Sequence, residues 1–116
     1  MLYRDEQIFD KISQYYSEIQ GELDFIHDSF TEFEENMIYR KAIMMDVFQI
    51  GELFNSMSEK AQKFFSKKDV RGICDIRNHI AHGYVVINNK VVWNIVHDCL
   101  PYIVSVVNEI KENKLV

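Results

Sequence analysis

Residues 69–84, which read DVRGICDIRNHIAHGY, carry the clearest pattern for the fold. Their apolar side chains recur three or four positions apart, which is the spacing of one face of an α-helix. The apolar positions are Val70, Ile73, Ile76, Ile80 and Ala81. Asp69 is a suitable N-cap, and Gly83 can end the helix because glycine adopts the left-handed conformation at little cost. The stretch therefore predicts an amphipathic helix between Asp69 and Gly83.

Helices are also predicted at the two ends of the chain. Asp5 can cap the first one, and Asn88 with Asn89 supplies a turn and a cap for the last one. Pro101 lies inside the last helix and is expected to bend it. The apolar residues with helical spacing are Ile8, Ile12, Tyr15, Ile19, Leu23 and Ile26 in the first segment, and Val92, Ile95, Val96, Leu100, Ile103, Val107 and Ile110 in the last.

The second helix is predicted from a capping-box pattern, Thr31 followed three residues later by Glu34. From residue 42 to residue 54 this helix is apolar on nearly every side, so a single core face would leave large side chains exposed. The side chains concerned are Met44, Met45, Val47, Phe48 or Phe54. A second copy of the chain is the natural cover, and the sequence therefore predicts a homodimer.

The pattern breaks between this helix and residues 69–84. Ser56 and Ser58 mark a weak point, residues 59–65 are expected to form a separate or bent turn, and residues 67–69 are expected to be a loop. The prediction is an all-α chain in which residues 1–116 form one domain without repeats or linkers.

Composition narrows the class of protein. With 47% hydrophobic and 27% charged residues, the chain is typical of folded proteins and unlike disordered ones. The N-terminal residues do not resemble a secretory signal and no apolar run is long enough for a membrane span, so we expect a cytoplasmic protein without membrane contact. Cys74 and Cys99 are far apart and have no partner at zinc-ligand spacing, so we expect two small core residues, no disulfide and no metal site.

Charge is unevenly distributed along the chain, whose net charge is −5. Residues 1–36 hold ten acidic residues against Arg4 and Lys11, whereas residues 60–77 hold six basic residues against two acidic ones. A basic segment attracts phosphates even in a protein that is acidic as a whole. This segment ends at Arg77.

Arg77 and His82 are candidates for chemistry on a phosphate, but five positions place them about 140° apart on an ideal helix. If the last turn tightens or opens before Gly83, His82 can turn toward Arg77 and both side chains can reach one phosphate. The alternative is that Arg77 is an ordinary surface residue and His82 a helix-terminal residue favoured by the helix dipole.

Residues 77–84, RNHIAHGY, resemble the signature of HEPN domains, an arginine followed four to six residues later by a histidine. Arg-x4-His-x-Tyr, formed by Arg77, His82 and Tyr84, is similar to the narrower form found in HepT toxins. The resemblance implies a HEPN-type four- to five-helix up-and-down bundle.

Other segments extend the resemblance over roughly residues 35–110. Ile50-Gly51-Glu52 is similar to a triplet of the family, and Val92-Trp93 and Leu100-Pro101 resemble parts of its final helix. One departure is that Phe65-Ser66-Lys67-Lys68 stands where the family often has a Pro-Trp pair.

The activity implied by the resemblance is metal-independent RNA cleavage without a cofactor, in which a 2′-hydroxyl attacks the adjacent phosphate. Arg77 offers a permanently charged fork that matches phosphate oxygens, and the imidazole of His82 suits proton transfer near neutral pH. Because the base and the acid act on opposite sides of phosphorus, two copies of His82, one from each subunit, would serve the two roles.

Further residues are assigned around this pair. Asn78 could donate to a phosphate oxygen or hold His82, or it could be a solvated residue. Glu52 lies near apolar neighbours and needs a cationic partner, for which the resemblance implies Arg77 of the same or the other chain. We expect RNA to be concentrated in a shared groove lined by Lys60, Lys63 or Arg71.

Tyr84 lies two residues beyond His82 and just after Gly83. In HepT-like proteins the matching tyrosine receives AMP from a nucleotidyltransferase, the MntA-type antitoxin, so the resemblance implies the same control here. The alternative is a rim tyrosine that only packs or stacks. At the level of the whole protein, the alternative to a toxin ribonuclease is a noncatalytic HEPN adaptor that binds a nucleotidyltransferase or RNA.

Overall fold

The computed structural model describes residues 3–83 and 87–113, and the regular secondary structure in these ranges is helical. A π-helical turn, Ile95–Cys99, joins the last two helices without a break. The predicted all-α class is confirmed. The helices are α1 (Tyr3–Phe25), α2 (Phe30–Glu35), α3 (Met37–Ser56), α4 (Glu59–Gln62), α5 (Lys67–Ala81), α6 (Asn89–Asn94) and α7 (Leu100–Asn113).

Four long segments, α1, α3, α5 and the continuous α6–α7, form an up-and-down bundle. Asp5 near the start of α1 bonds to Ser58 just after α3, whereas Phe25 at the end of α1 stacks on Tyr39 near the start of α3. These contacts make α1 and α3 antiparallel. The contacts of Cys74 with Asn55 and of Arg77 with Glu52 make α5 antiparallel to α3. The contacts of His97 with Asp28 and of Lys111 with Asp10 make the last helix antiparallel to α1.

One core fills the bundle, and the predicted apolar stripes of the first and last helices face it. Of those stripes only Tyr15 and Ile95 remain half-buried. Trp93 also packs at the edge of the core, against Phe30 and Phe33. The largest fully buried side chains are Phe9, Ile12, Ile19, Phe33, Ile43, Val47, Ile50, Phe54, Ile73, Val92, Leu100 and Ile103.

The last helix contains a wide turn just before Pro101. Proline has no N–H, so it cannot donate to the carbonyl of His97 four residues earlier. The preceding residues widen into the π-helical turn, in which the N–H of Leu100 donates to the carbonyl of Ile95. The expected irregularity at Pro101 is thus a widening of the helix.

The apolar character of this helix has a structural explanation. By length and mean hydropathy (1.2), Asn89–Glu112 is apolar enough to cross a membrane. Six of its apolar side chains are buried against the rest of the bundle, as in a core helix, whereas Val91 is 47% exposed. The six buried side chains are Val92, Val96, Leu100, Ile103, Val107 and Ile110.

Two caps differ from the sequence expectation in the second helix. The hydroxyl of Ser29 accepts from the N–H of Glu32 at 3.3 Å and caps α2, and the side chain of Asn36 accepts from Tyr39 at 3.2 Å and caps α3. The capping box predicted at Thr31 is therefore wrong. Asn36 interrupts the expected helix, because its extended backbone ends α2 and starts α3.

The polar caps around α4 and α5 are also partly different. Ser58 caps α4, as the predicted break implies, and donates its hydroxyl to Asp5 at 2.7 Å. Asp5 is therefore buried in a contact between helices, and the expectation that it caps α1 is wrong. Ser66, rather than Asp69, caps α5, so residues 67–69 form its first turn and are not a loop.

Helix α3 lies between α1 and α5, and this position corrects the expected excess of apolar surface. Met44, Val47 and Phe54 are buried within the chain, because helices cover α3 on two sides. Phe48 is half-buried, and Met45 is 51% exposed. Ile38 on the same helix is 78% exposed. The uncovered apolar surface is smaller than predicted, with Ile38 and Met45 on one stripe of α3 and Met37, 54% exposed, beside it.

The imidazole of His97 is half-buried and joins two parts of the bundle. Its Nε2 lies 2.7 Å from Oδ1 of Asp28, and its Nδ1 lies 2.9 Å from the carbonyl of Trp93. These bonds join the turn after α1 to the last helix. His27 is exposed and pairs with Glu32.

Candidate active site

Arg77 lies where α5 approaches α3 most closely, opposite Gly51. A Cβ atom added to Gly51 would lie 2.8 Å from Cγ of Arg77 and 3.3 Å from the carbonyl oxygen of Ile73. Both distances are shorter than ordinary van der Waals contact, so a larger residue at position 51 would collide with α5. The stem of Arg77 therefore occupies the space that a side chain at position 51 would fill.

Three neighbours fix the guanidinium of Arg77. Its Nε donates to Oε1 of Glu52, and its Nη1 donates to Oδ1 of Asn78 at 3.0 Å. Its Cζ lies 5.5 Å from the centre of the Phe48 ring. Because the pair with Glu52 is partly exposed, its contribution to stability is small, but its geometry orients the guanidinium. These bonds use two of the five N–H donors of the arginine.

The contact between Glu52 and Arg77 that the resemblance implied is thus formed within one chain. Asn78 is exposed, its side-chain Oδ1 accepts from Arg77, and its backbone carbonyl accepts from the N–H of His82; donation from its amide to a phosphate stays a prediction. The three side chains form a unit that presents a positioned cation at the boundary between α3 and α5.

His82 is exposed and ends α5. Its N–H still donates to the carbonyl of Asn78 at 3.1 Å, the regular i to i−4 bond. The turn tightens one residue later, where Gly83, with a φ of 115°, donates to the carbonyl of Ile80 at 3.2 Å. His82 therefore keeps its helical position, about 140° around the axis from Arg77. One chain presents Arg77 and His82 on different sides of α5.

Tyr84 lies outside the described residues. His79 is exposed in the last turns of α5.

The basic residues assigned to RNA binding are only partly brought together. Lys63 and Arg71 line one cavity of about 450 Å³ between α4 and α5, and Lys60 is exposed on α4. Arg77 is six positions beyond Arg71, which places it about 120° around α5, facing α3. The expected groove, with Arg77 and these residues along one wall, is not formed within a single chain.

A buried acidic cluster was not predicted from the sequence. Asp46 on α3 is 7% exposed and faces Glu22 and Glu18 of α1. Burial and the proximity of these two carboxyl groups raise the pKa of Asp46 to about 9, which favours its protonated form. Burial, with the charge of Glu18, also raises the pKa of Glu22. An acid inside the apolar run of α3 is the sequence signal for this cluster.

The cysteines are held as thiols. Cys99 is buried and contacts the carbonyl of Asp69, and burial raises its pKa to about 12. Cys74 is half-buried beside Asn55, and burial also raises its pKa. Within residues 3–83 and 87–113, no three His, Cys, Asp or Glu side chains are placed to hold a metal ion.

Comparisons with known proteins identify the family of the chain. A family described as "Ribonuclease HepT-like" matches residues 12–110, which include α3, α5 and the last helix. A protein of Methanocaldococcus jannaschii named "Putative RNase" is 29% identical over 91 residues, which cover 78% of this chain and 70% of that protein. No solved structure gives a significant match. Because the family match spans most of the chain, the protein belongs to the HepT-like ribonuclease family.

Proposed function

We propose that the protein is an endoribonuclease that cleaves RNA without a metal ion, in a site built by two copies of the chain. The observation that carries this proposal is the fixed guanidinium of Arg77, held by Glu52 and Asn78, with the exposed imidazole of His82 five residues further on, at the end of α5. A positioned cation and a titratable imidazole are the groups that phosphoryl transfer from an RNA 2′-hydroxyl needs.

Arg77 contributes charge and direction to this reaction. Its remaining N–H donors bind the non-bridging oxygens of the scissile phosphate and stabilise the negative charge that grows on them in the transition state. Glu52 does not contact RNA in this mechanism. It positions the guanidinium, so Glu52 and Asn78 are positioning residues.

His82 moves the protons. One imidazole accepts the proton of the 2′-hydroxyl as its oxygen attacks phosphorus, and a second imidazole donates a proton to the departing 5′-oxygen. The products are a 2′,3′-cyclic phosphate and a 5′-hydroxyl. Because Arg77 and His82 diverge by about 140° on one helix, a second chain supplies at least one of the two imidazoles.

The uncovered stripe of α3 supports such a dimer. Ile38, Met45 and Glu52 are spaced by seven residues, so they lie on one side of the helix. Ile38 is 78% exposed and Met45 is 51% exposed. A second copy packed on this stripe would reach Glu52, and with it Arg77. Ile38→Asp with Met45→Asp should give a monomer by light scattering, whereas the same measurement on the wild type should give a dimer.

Control of this activity is assigned to Tyr84. We place it in a toxin–antitoxin pair in the cytoplasm, in which an MntA-like nucleotidyltransferase attaches AMP to the Tyr84 hydroxyl. The bulk and negative charge of AMP two residues from His82 would block the phosphate path. After co-expression with such a nucleotidyltransferase, mass spectrometry should find AMP on the peptide that contains Tyr84. Tyr84→Phe should escape both labelling and inactivation.

Cleavage of single-stranded RNA in EDTA tests the central proposal. The wild type should leave 2′,3′-cyclic phosphate ends, and His82→Ala should lose cleavage while keeping most of its RNA affinity. Arg77→Ala should lose cleavage and part of the affinity, because the guanidinium contacts phosphate before and during the reaction. Equal cleavage by the wild type and His82→Ala would refute the enzyme and leave the noncatalytic adaptor.

A further inference from the structure

Two concave surfaces adjoin on the side of α5 that does not face α3. The larger one, about 690 Å³, lies between the first half of α5 and the last helix, and its apolar lining includes Val91, Ile95 and Tyr102. The smaller one, about 450 Å³, lies between α4 and α5, and its apolar lining includes Phe65 and Val70. Neither cavity is lined by Arg77 or His82, so both lie outside the candidate active site.

Lys67 and Arg71 line both cavities and form the wall between them. The two residues are one helical turn apart on α5, so their side chains leave the helix on the same side. Both are exposed, and among the described residues neither forms an ion pair, unlike Arg77 with Glu52 or Lys111 with Asp10. Two positive charges that form no ion pair within the described part of the chain thus stand between two concavities of mixed lining, in which Lys68, Asp69, Asp75 and Asp98 also line the larger one and Glu59 and Lys63 the smaller one.

This geometry points to a second RNA-binding site, in which two successive nucleotides of a single strand span the wall. The phosphate between them binds Lys67 and Arg71, and one base enters each cavity. The inference rests on the proposed ribonuclease function and adds to it a subsite away from the bond that is cut.

Single-stranded RNA fits the chemistry of these cavities better than a duplex or a free anion. Tyr102 is 67% exposed at the larger cavity and offers a ring on which a base can stack, which requires a base that is not already paired. Asp75 and Asp98 line the same cavity, and their carboxylates can accept from the amino groups of bases. These acids also repel a bare polyanion, so binding needs the bases as well as the phosphate.

The subsite has a defined relation to the candidate active site. Arg71 precedes Arg77 by six positions, about 9 Å along the axis of α5 and about 120° around it. A strand bound across Lys67 and Arg71 must therefore pass around α5 to reach Arg77. RNA too short to span both places cannot occupy the subsite and the active site together, so a longer strand should bind more tightly.

The test measures RNA binding apart from cleavage. The probe is a fluorescein-labelled single-stranded RNA of about twelve nucleotides, titrated by anisotropy into the full chain carrying His82→Ala. Adding Lys67→Gln and Arg71→Gln should weaken binding about tenfold and lower the slope of log K against log salt by about 0.7 for each lost phosphate contact. The matched control, Arg4→Gln with Lys11→Gln on α1, removes the same charge elsewhere and should leave both quantities nearly unchanged.

A second measurement covers the base contacts. Tyr102→Ala should weaken binding at least about fivefold, and RNA containing 4-thiouridine should crosslink to the peptide with Tyr102. Two results would overturn the subsite. One is an equal loss of RNA binding in the α1 control. The other is unchanged RNA binding in the Lys67 and Arg71 variant while circular dichroism shows that this variant is folded. If those variants lose binding to a protein partner and RNA binding is unchanged, the cavities are a protein surface and the inference is wrong. Failure of the wild type to bind or cleave RNA would instead refute the proposed function.

Discussion

Gly51→Ala tests whether the contact between α3 and α5 positions Arg77. In the interior of a helix, alanine is favoured over glycine by about 1 kcal/mol. At position 51 the new methyl would lie 2.8 Å from Cγ of Arg77 and 3.3 Å from the carbonyl of Ile73, so side chain or backbone must move. Such overpacking costs about 1–3 kcal/mol. The net expectation is a loss of stability of up to about 2 kcal/mol.

Gly21→Ala is the matched control, because Gly21 is an exposed residue inside α1 with no atom within 4 Å of an added Cβ. It should gain about 1 kcal/mol. Urea unfolding gives the free energy of unfolding of both variants. Because both gain the same helix propensity from alanine, the difference between them measures the cost of the collision at position 51. RNA cleavage provides the second readout: a shift of about 1 Å in Arg77 should cost about 100-fold in rate, and Gly21→Ala should cleave like the wild type.

The result that would refute this reasoning is an equal gain in stability from the two substitutions. It would mean that α3 and α5 separate without cost at Gly51. A stable Gly51→Ala protein with full cleavage would separately show that the close approach does not position Arg77.

Two further substitutions probe the acidic residues of α3. Asp46→Asn should stabilise the protein more at pH 8 than at pH 5, as measured by urea unfolding. The folded-state pKa of Asp46 is about 9, raised from 3.8, so the stability that this group contributes is complete below about pH 4 and is lost as the pH rises. An equal change in stability at both pH values would contradict this. Glu52→Gln should lower kcat about tenfold without raising KM, because the guanidinium keeps its charge but loses its orientation, and steady-state kinetics with a labelled RNA separates the two effects.

The sequence predicted most reliably the elements that are buried on one side. The first and last helices expose one face to solvent, so their apolar residues fall on a stripe that periodicity detects. Helix α3 lies between two neighbours, and its all-round apolarity was taken for a dimer surface, although it mostly reflects a central position in the bundle. Periodicity alone does not distinguish cover by the same chain from cover by a second one.

Helix starts were harder to predict because several residues near each start can cap. Ser29 and Thr31 both suit an N-cap, as do Ser66 and Asp69. The N-cap is the last residue with an extended backbone before the helix, so the choice depends on where the backbone becomes helical. That point is set by tertiary contacts between helices. The contact of Asp5 with Ser58, 53 residues away, could not be predicted from local sequence for the same reason.

In the candidate site, the contact between Glu52 and Arg77 was expected, but the position of His82 was not determined. The direction of the His82 side chain depends on whether the N–H of His82, or that of an earlier residue, makes the last regular hydrogen bond of α5. A shift of one residue in the end of the helix changes that direction by about 100°. The bond from His82 to Asn78 decides this, and leaves Arg77 and His82 on different sides of α5.

This divergence leads to a prediction about mixed dimers. If each cleavage needs His82 from both chains, one His82→Ala chain inactivates the whole dimer. Refolding wild type with an equal amount of His82→Ala should then leave about one quarter of the activity per total chain, the fraction of dimers with two intact chains. If a single chain carries out the reaction, half of the activity remains.

The control mixture replaces His82→Ala with Lys11→Gln, a surface change on α1 that should leave full activity at every ratio. Varying the wild-type fraction sharpens the comparison, because two required copies give activity that follows the square of that fraction, whereas independent chains give a straight line. Exchange of chains on refolding must be complete, which a mass-tagged wild type verifies. A straight line with complete exchange would mean that one His82 is enough for each cleavage, and the mechanism with two imidazoles would then be wrong.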